Sequence, residues 1–466
     1  MIRRILWKEL LNNLRSLRLS LTFILLMLSV MIAGLVFAQK YHQMIEDHSR
    51  NVNVDLQRMR DRAKSTNDLA FHEHRLYKSP NPMRLCAEGR EKYTPNSFAI
   101  TISSINGMEN RARVNFLRAR LEDLDWTYII GVIVSFAAII LTYDAISGER
   151  EDGTLKLMMS NSVSRASIIL GKYLGGFVSL LIPLAAAIVL NLIIVSILGV
   201  NFTAEQWGRI GIIVVVSLVY VSCFLMLGLL VSSITRDSTT SLVVLLFLWT
   251  IFIAIVPGSG RIVAGKLQKV TPGRIISKRI FPGPWHEVPD RYPSGTFNWN
   301  WNYEPPVPEQ VITRGKATWE IGEIQDRIRD DHRKEMVSQL RLAQNLMRFS
   351  PMMTYTLLCE AIAGTGLPRC ESFMAQVKRF RDEWREWIFS EDRKDKDSFH
   401  VLSNEKWTRP YSQKEPDFGH LPRFSEKLPG LKDSLGSGLL DLSLLILLNV
   451  VLFMASYLVF MRYDVR

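Results

Sequence analysis

Residues 148–155 read GEREDGTL, a burst of charge that lies between long apolar runs. One such run, at 126–141, precedes it, and three more, at 173–198, 210–234 and 241–256, follow it. A helix of about twenty apolar residues spans the hydrocarbon core of a bilayer, and such runs cannot remain in water. The charged burst must therefore lie outside the bilayer, against something polar, and we expect that to be another protein.

The composition divides the chain into two kinds of segment. The 466 residues are 48% hydrophobic and carry a net charge of +12, but the charge is concentrated in long polar segments and at the ends of apolar runs. This division predicts a membrane protein with a large water-facing domain, anchored by basic residues at the membrane surface. Because no recognition motif accompanies the charge, we expect no nucleic-acid partner.

Six spans with both termini in the cytoplasm satisfy the bias of basic residues toward short cytoplasmic loops. The predicted fold class is an all-α polytopic membrane protein, with six transmembrane helices and a mainly helical extracytoplasmic domain. The predicted order is an amphipathic interfacial helix at 1–18, a first span at 19–38, an extracytoplasmic segment at 39–125, a second span at 126–145, a cytoplasmic region at 146–168, spans three to five at 169–257, a large extracytoplasmic segment at 258–437, a sixth span at 438–461 and a cytoplasmic tail at 462–466.

The first eighteen residues place Ile and Leu on one helical face and basic side chains on the rest. A basic amphipathic helix before a span is expected in the headgroup layer on the cytoplasmic side, beside the lipid bilayer. Its interfacial residues are predicted to be Arg3, Arg4, Trp7 and Lys8. The alternative is an ordinary soluble helix.

The two long polar segments are expected to pack into one domain, because neither is apolar enough to be self-sufficient. In the first, a polar helix is predicted through about Tyr77. In the second, 258–308 is rich in Pro, Gly and aromatic residues and reads as extended chain and turns. Helices are then predicted at 309–349, 352–363 and 371–389.

Cysteine and histidine patterns offer few candidate sites. Cys359 and Cys370 flank a Gly-Thr-Gly turn, so they are candidates for a disulfide in an oxidising compartment, with Cys86 as a competitor. His72 and His74 lack the spacing of metal ligands on a helix and are interpreted as solvated histidines, so no metal site is predicted.

Residues 260–266 have the glycine and lysine spacing of a phosphate-binding loop. However, Leu267 stands where the magnesium-binding hydroxyl is needed, and the stretch follows a span rather than a strand. We therefore expect that this chain does not hydrolyse ATP, has no catalytic residues and holds no cofactor.

Polar side chains inside spans cost free energy in the hydrocarbon core, so a role is expected for them. Asn191 and Asn449 are the clearest examples. Hydrogen bonding between helices is the favoured interpretation, and a place on a translocation path is the alternative.

The sequence DAISGEREDGTL at 144–155, with ILGKY at 169–173, resembles the signature of exporter-type (type 2) ABC transporter permeases. These are membrane subunits with six spans that pair with a separate ATPase, and the resemblance is specific over about 126–257. It implies a coupling helix after the second span and an amphipathic helix before the first. The residues of the implied ATPase-coupling interface are Glu149, Arg150, Glu151, Asp152, Gly153, Thr154 and Leu155.

Residues 349–366 resemble a subgroup of these permeases with large extracytoplasmic domains, akin to gliding-motility and copper-site-maturation permeases. The resemblance implies a multi-pass protein of the bacterial inner membrane. Because six spans enclose little of a path, we expect a homodimer, or a pair with a related permease. ATP and magnesium would be bound by the partner ATPase subunit. The two long insertions leave two functions open. One is export of a substrate, and the other is a non-conducting mechanotransmitter whose outer domain acts on a periplasmic partner.

Overall fold

The computed structural model describes residues 2–89, 95–108, 124–160, 164–281, 288, 308–401 and 411–462. Among these residues, six helices are long and apolar enough to cross a membrane. They are Leu17–Arg62, Trp126–Glu151, Arg165–Ile197, Ala204–Ile234, Ser238–Leu267 and Leu431–Met461. The predicted fold class, an all-α polytopic membrane protein, is confirmed.

Two of the spans are interrupted by π-helical turns. The second, α4, runs through Trp126–Tyr128, the π-helical Ile129–Val134 and Ser135–Thr142, and the fifth, α9, runs through Ser238–Thr250, the π-helical Ile251–Ile255 and Val256–Leu267. The other helices are α1 Ile2–Arg15, α2 Leu17–Arg62, α3 Thr66–Phe71, α5 Ser147–Glu151, α6 Thr154–Ser160, α7 Arg165–Ile197, α8 Ala204–Ile234, α10 Gly273–Ile280, α11 Pro308–Met347, α12 Pro351–Ala363, α13 Leu367–Asp392 and α14 Leu431–Met461.

Side-chain caps encoded locally in the sequence start the spans. Thr203 and Gln206 form a capping box that begins α8, so two backbone N–H groups without helical partners are satisfied. The carboxylate of Asp237 accepts from the Thr240 N–H at 2.7 Å and begins α9 only three residues after α8 ends. The tight turn between these spans therefore has a local chemical cause.

Both asparagines inside the spans join helices. The amide of Asn191 in α7 donates to the Val30 carbonyl of α2 at 2.8 Å, and its oxygen accepts from the Trp126 indole of α4 at 2.9 Å. Asn449 in α14 donates to the Val219 carbonyl of α8 at 3.0 Å. The prediction of interhelical hydrogen bonds is confirmed for both residues.

The fifth span is longer than predicted. It was expected to stop at Pro257, whereas the helix continues to Leu267. Pro257 lies in the first turn of the segment that follows the π-helical piece, where its missing N–H costs little. The prediction of extended chain is therefore wrong for 258–267 and for α10, and the aromatic residues Trp285, Trp299 and Trp301 lie outside the described residues.

The polar domain is formed by both long polar segments. Its helices surround a core in which Met59, Leu76 and Phe98 of the first segment pack with Phe373 and Trp384 of the second. The expectation that the two segments form one domain agrees with this core.

A small antiparallel sheet corrects one detail of the polar domain. The polar helix predicted through Tyr77 ends at Arg62, and β1, His74–Tyr77, pairs with β2, Ser97–Ile100, which pairs with β3, Ile105–Met108. Each strand has four residues, so the alternation that identifies a strand covers too few positions to be seen in the sequence.

Candidate functional site

A buried lysine joins three helices at the end of the bundle that carries residues 148–155. The ammonium of Lys172 in α7 lies 2.8 Å from a Glu9 oxygen of α1 and 3.0 Å from a Glu149 oxygen of α5. Its side chain is only 2% exposed, and the two carboxylates are 19% and 16% exposed. A buried charge requires partners of opposite sign, so the positions of α1 and α5 depend on this lysine.

The turn around α5 is also attached to the α8–α9 connection. Arg150 donates to the Thr235 carbonyl at 2.8 Å, and Glu151 accepts from both the backbone N–H and the hydroxyl of Ser238 at 2.8 and 2.7 Å. The Ser232 hydroxyl accepts from two further N–H groups at the start of α5. Displacement of α5 would therefore move α7, α8 and α9 together.

The predicted coupling residues divide into an inward and an outward set. Glu149 faces Lys172, and Leu155 is fully buried in an apolar cluster. Residues 151–154 are exposed, and Gly153 adopts the left-handed conformation that begins the next helix. Of the seven predicted residues, the exposed four are those that a docked protein could reach.

The N-terminal helix α1 lies along α7. Glu9 and Ile5 approach Gly175 and Gly171 so closely that a Cβ atom at either glycine would overlap them. Arg3, Arg4, Trp7 and Lys8 lie on the exposed side, with the Trp7 side chain 59% exposed. This arrangement suits a helix with one face against protein and one face toward lipid headgroups.

Sequence reasoning missed Lys172 and Glu9 as partners of Glu149. The available signal was the lysine in ILGKY, a charged residue immediately before a long apolar run. Its partner Glu9 lies 163 residues away along the chain, so spacing alone could not identify the pair.

At the opposite end of the bundle, α12 is inserted among the spans. It was predicted to lie in the extracytoplasmic domain, but its side chains are almost all buried. The Tyr355 hydroxyl lies 2.8 Å from the Ser217 hydroxyl of α8, and its ring stacks on Tyr220 at 4.4 Å. The correction has a physical reason: α12 is apolar but has thirteen residues, too few to span a membrane, and it is covered by spans instead.

The turn that enters α12 contacts both π-helical pieces. Ser350 donates to the Phe252 carbonyl of α9, and Met352 packs on Gly131 of α4. Just before it, Arg348 forms a two-point ion pair with Asp441 of α14, at 2.6 and 3.1 Å. Because α12 continues through a short turn into α13, the polar domain is mechanically joined to four spans.

The candidate disulfide is not formed. Cys359 and Cys370 are both free thiols, as is the buried Cys86. The left-handed Gly364 ends α12 and directs the chain away, so Cys359 remains in the core of the bundle whereas Cys370 lies near Arg333 of α11. The prediction placed both cysteines on one hairpin. They are separated because α12 is buried among the spans and carries Cys359 with it.

The structure corrects two other sequence predictions. His74 is not solvated, since its ring lies buried 2.7 Å from the Asp55 carboxylate. Residues 260–266 form no loop, because they belong to the helical end of α9, where Gly260 packs on Met347.

Comparison with known proteins agrees with this architecture. Residues 3–465 match the family described as ABC-2 family transporter protein. Over 130 residues the chain is 31% identical to the probable ABC transporter permease protein NosY of Pseudomonas aeruginosa. That alignment covers 27% of this chain and 46% of the relative, so it spans about half of the relative's length.

A match over nearly the whole chain, six helices able to cross a membrane, and the resemblance at 144–155 agree with one another. This chain belongs to the ABC-2 family of transporter proteins and is a multi-pass membrane protein.

Proposed function

We propose that this permease couples ATP hydrolysis by a separate ATPase subunit to export across the bacterial inner membrane, with both termini in the cytoplasm. The observation that carries the proposal is the contact of Lys172 with both Glu9 and Glu149. Through it, a push on α5 reaches the N-terminal helix and the third span at once.

The proposed docking surface is the exposed part of the coupling region, residues 151–154. Asp152 and Thr154 project from it, and Glu151 anchors it to the start of the fifth span. A partner that binds there would act on a turn fixed by charge-assisted hydrogen bonds, which are stronger than neutral ones. Movement of the partner would tilt spans rather than deform a loose loop.

The proposed assembly is a homodimer with two ATPase subunits. The fifth span supports this proposal, because its surface is largely uncovered within one chain. Its exposed apolar side chains include Val243, Phe247, Ile255 and Ile262, from near its start to beyond its π-helical turn. In a twofold-symmetric dimer, this face of one chain would pack against the same face of the other.

Charge reversal of Asp152 tests the docking. We expect Asp152→Lys to reduce co-purification of the ATPase subunit by at least tenfold. It should also reduce the stimulation of that subunit's ATPase activity by the permease. Asp433→Lys, an exposed aspartate at the other end of the bundle, is the matched control and should leave both quantities unchanged. Wild-type assembly and ATPase stimulation in Asp152→Lys would refute the docking surface.

A cysteine placed at Thr154 tests the orientation. The side chain is exposed, so an impermeant maleimide should label it in inverted vesicles but not in intact cells. Labelling from outside intact cells would invert the proposed topology.

A second function, mechanical transmission to a periplasmic partner without conduction, is favoured by the inserted helix α12. It packs between α8 and α14 and leads directly into α13 of the polar domain, so movements of the spans would reach that domain. Water accessibility of single cysteines along α9 distinguishes the two functions. A continuous reactive stripe in the assembled complex supports export, and uniform protection supports transmission.

A further inference from the structure

A charged cleft in the polar domain lies between α11, α13 and the start of β3. Its volume is about 210 Å³. The residues that line it are Ile105, Asp326, Arg327, Asp330, Arg333, Lys378 and Arg381. All of them are far from the coupling region, so the cleft is independent of the function proposed above.

The lining is unbalanced in charge. Four cationic side chains face two carboxylates, which leaves a net charge of +2. Arg329 approaches Asp326 from the adjoining turn at 3.5 Å and adds a further positive charge. Arg381 also pairs with Asp382, outside the lining, at 3.2 Å, so five cations share three carboxylates.

Each of the two carboxylates in the lining contacts several donors. Asp330 is contacted by Lys378 at 2.6 Å, by Arg333 at 3.1 Å and by Lys334 at 3.3 Å. Asp326 accepts from the Ile105 N–H at 2.9 Å in addition to its arginine partners. Each carboxylate thus has three donors, and Arg327 is not among them.

Arg327 is an exposed cation of this lining. Within the part of the chain that the structure describes, it makes neither a hydrogen bond nor an ion pair, although it lines the cleft. Burial lowers the pKa of Arg329 and of Arg333, although the neighbouring carboxylates act to raise it. An anion in the cleft would relieve this imbalance.

We propose that the cleft binds a compact tetrahedral oxyanion of two negative charges, phosphate or sulfate, with Arg327 and Lys378 as its principal ligands. Guanidinium groups match such oxyanions in geometry and charge. The volume corresponds to about seven water molecules at about 30 Å³ each, enough for the anion and part of its hydration shell.

The position of the cleft indicates that the anion comes from solution. Asp330 precedes Met347 by seventeen residues of α11, about 25 Å along the helix axis, and Met347 packs on the fifth span. That separation from the fifth span favours an anion from solution over a lipid phosphate. The basic groups converge on one concavity rather than follow a strip, which favours a compact anion over an acidic peptide.

Calorimetric titration of the full-length protein in nanodiscs with sodium phosphate, and separately with sodium sulfate, tests the proposal. Ionic strength is held constant with sodium chloride, so that general screening contributes nothing to the signal. We expect saturable binding of one or both anions to the wild type. The double variant Arg327→Gln with Lys378→Gln should bind at least tenfold more weakly.

Two further variants keep the test decisive. Asp330→Asn removes a competing carboxylate and should tighten binding several-fold, a gain that misfolding cannot produce. Arg379→Gln removes the exposed cation next to Lys378 on α13 and should leave the affinity within twofold of the wild type. Absence of saturable binding of either anion to the wild type would overturn the proposal, as would equal affinity in the Arg327 and Lys378 double variant. Binding of a poly-glutamate peptide without binding of phosphate or sulfate would overturn it in favour of an acidic partner.

Discussion

Replacement of Lys172 by Met should destabilise the protein more than any other single loss of charge at the coupling region. Methionine keeps most of the length of the side chain, but Glu9 and Glu149 lose the cation that they share, and the exposed Lys8, 3.9 Å from Glu149, is a poor replacement for it. Breaking a buried ion pair costs about 3–5 kcal/mol. Because the two carboxylates keep some exposure to water, 19% and 16%, we expect the lower end, about 3 kcal/mol.

Thermal unfolding of the purified protein in nanodiscs, followed by tryptophan fluorescence, measures this loss. At about 2 °C per kcal/mol for a large domain, the expected fall in Tm is about 6 °C. Lys8→Met is the matched control, because Lys8 approaches the same Glu149 but at 3.9 Å and with its side chain 61% exposed. An exposed pair of this kind contributes less than about 1 kcal/mol.

A second substitution separates the loss of charge from the loss of packing. Adding Glu149→Gln to Lys172→Met removes one of the two unpaired carboxylates and should recover part of the Tm. If Lys172→Met unfolds at the wild-type temperature, or shows the same small change as Lys8→Met, the lysine does not hold the three helices together and the reasoning fails.

Three further outcomes follow from the packing and the charges. Gly228→Ala should destabilise the contact of α8 with α4 by about 1–3 kcal/mol, because the new Cβ would overlap the Thr142 hydroxyl, whereas Gly211→Ala, which has open space beside it, should be neutral in the same unfolding assay. Tyr355→Phe removes the hydroxyl partner of a buried serine and should cost about 1 kcal/mol without loss of membrane insertion. Burial raises the pKa of Asp125 from 3.8 to about 6, so the wild type loses stability as the pH rises from about 4 to about 6 and loses no more above that, and Asp125→Asn should gain Tm relative to the wild type over this interval. A difference in Tm between these two proteins that does not change with pH would contradict this shift.

The spans were predictable because apolar length is a local property of the sequence. The second and third spans and the charged turn between them could be located from composition, and the resemblance at 144–155 identified the family. Helices α11 and α13 were predicted within a few residues for the same reason, since helical spacing is read within one segment.

The placement of α12 and the partners of Glu149 could not be predicted, because both depend on residues distant in the chain. The depth of α12 is fixed by Ser217, more than a hundred positions upstream, and by Asp441, more than seventy positions downstream. The sequence of α12 was compatible with a domain helix or with a short inserted helix, and only its neighbours decide between them.

The forty residues of α11 make a rigid arm about 60 Å long, with its lower end seated beside the fifth and sixth spans. If the lower end is the pivot, a tilt of about 5° sweeps the far end through about 5 Å, comparable to one helical turn. A small tilt at the spans could thus produce a large displacement at the far end of α11. Spin labels at the two ends of this arm would report the amplification directly.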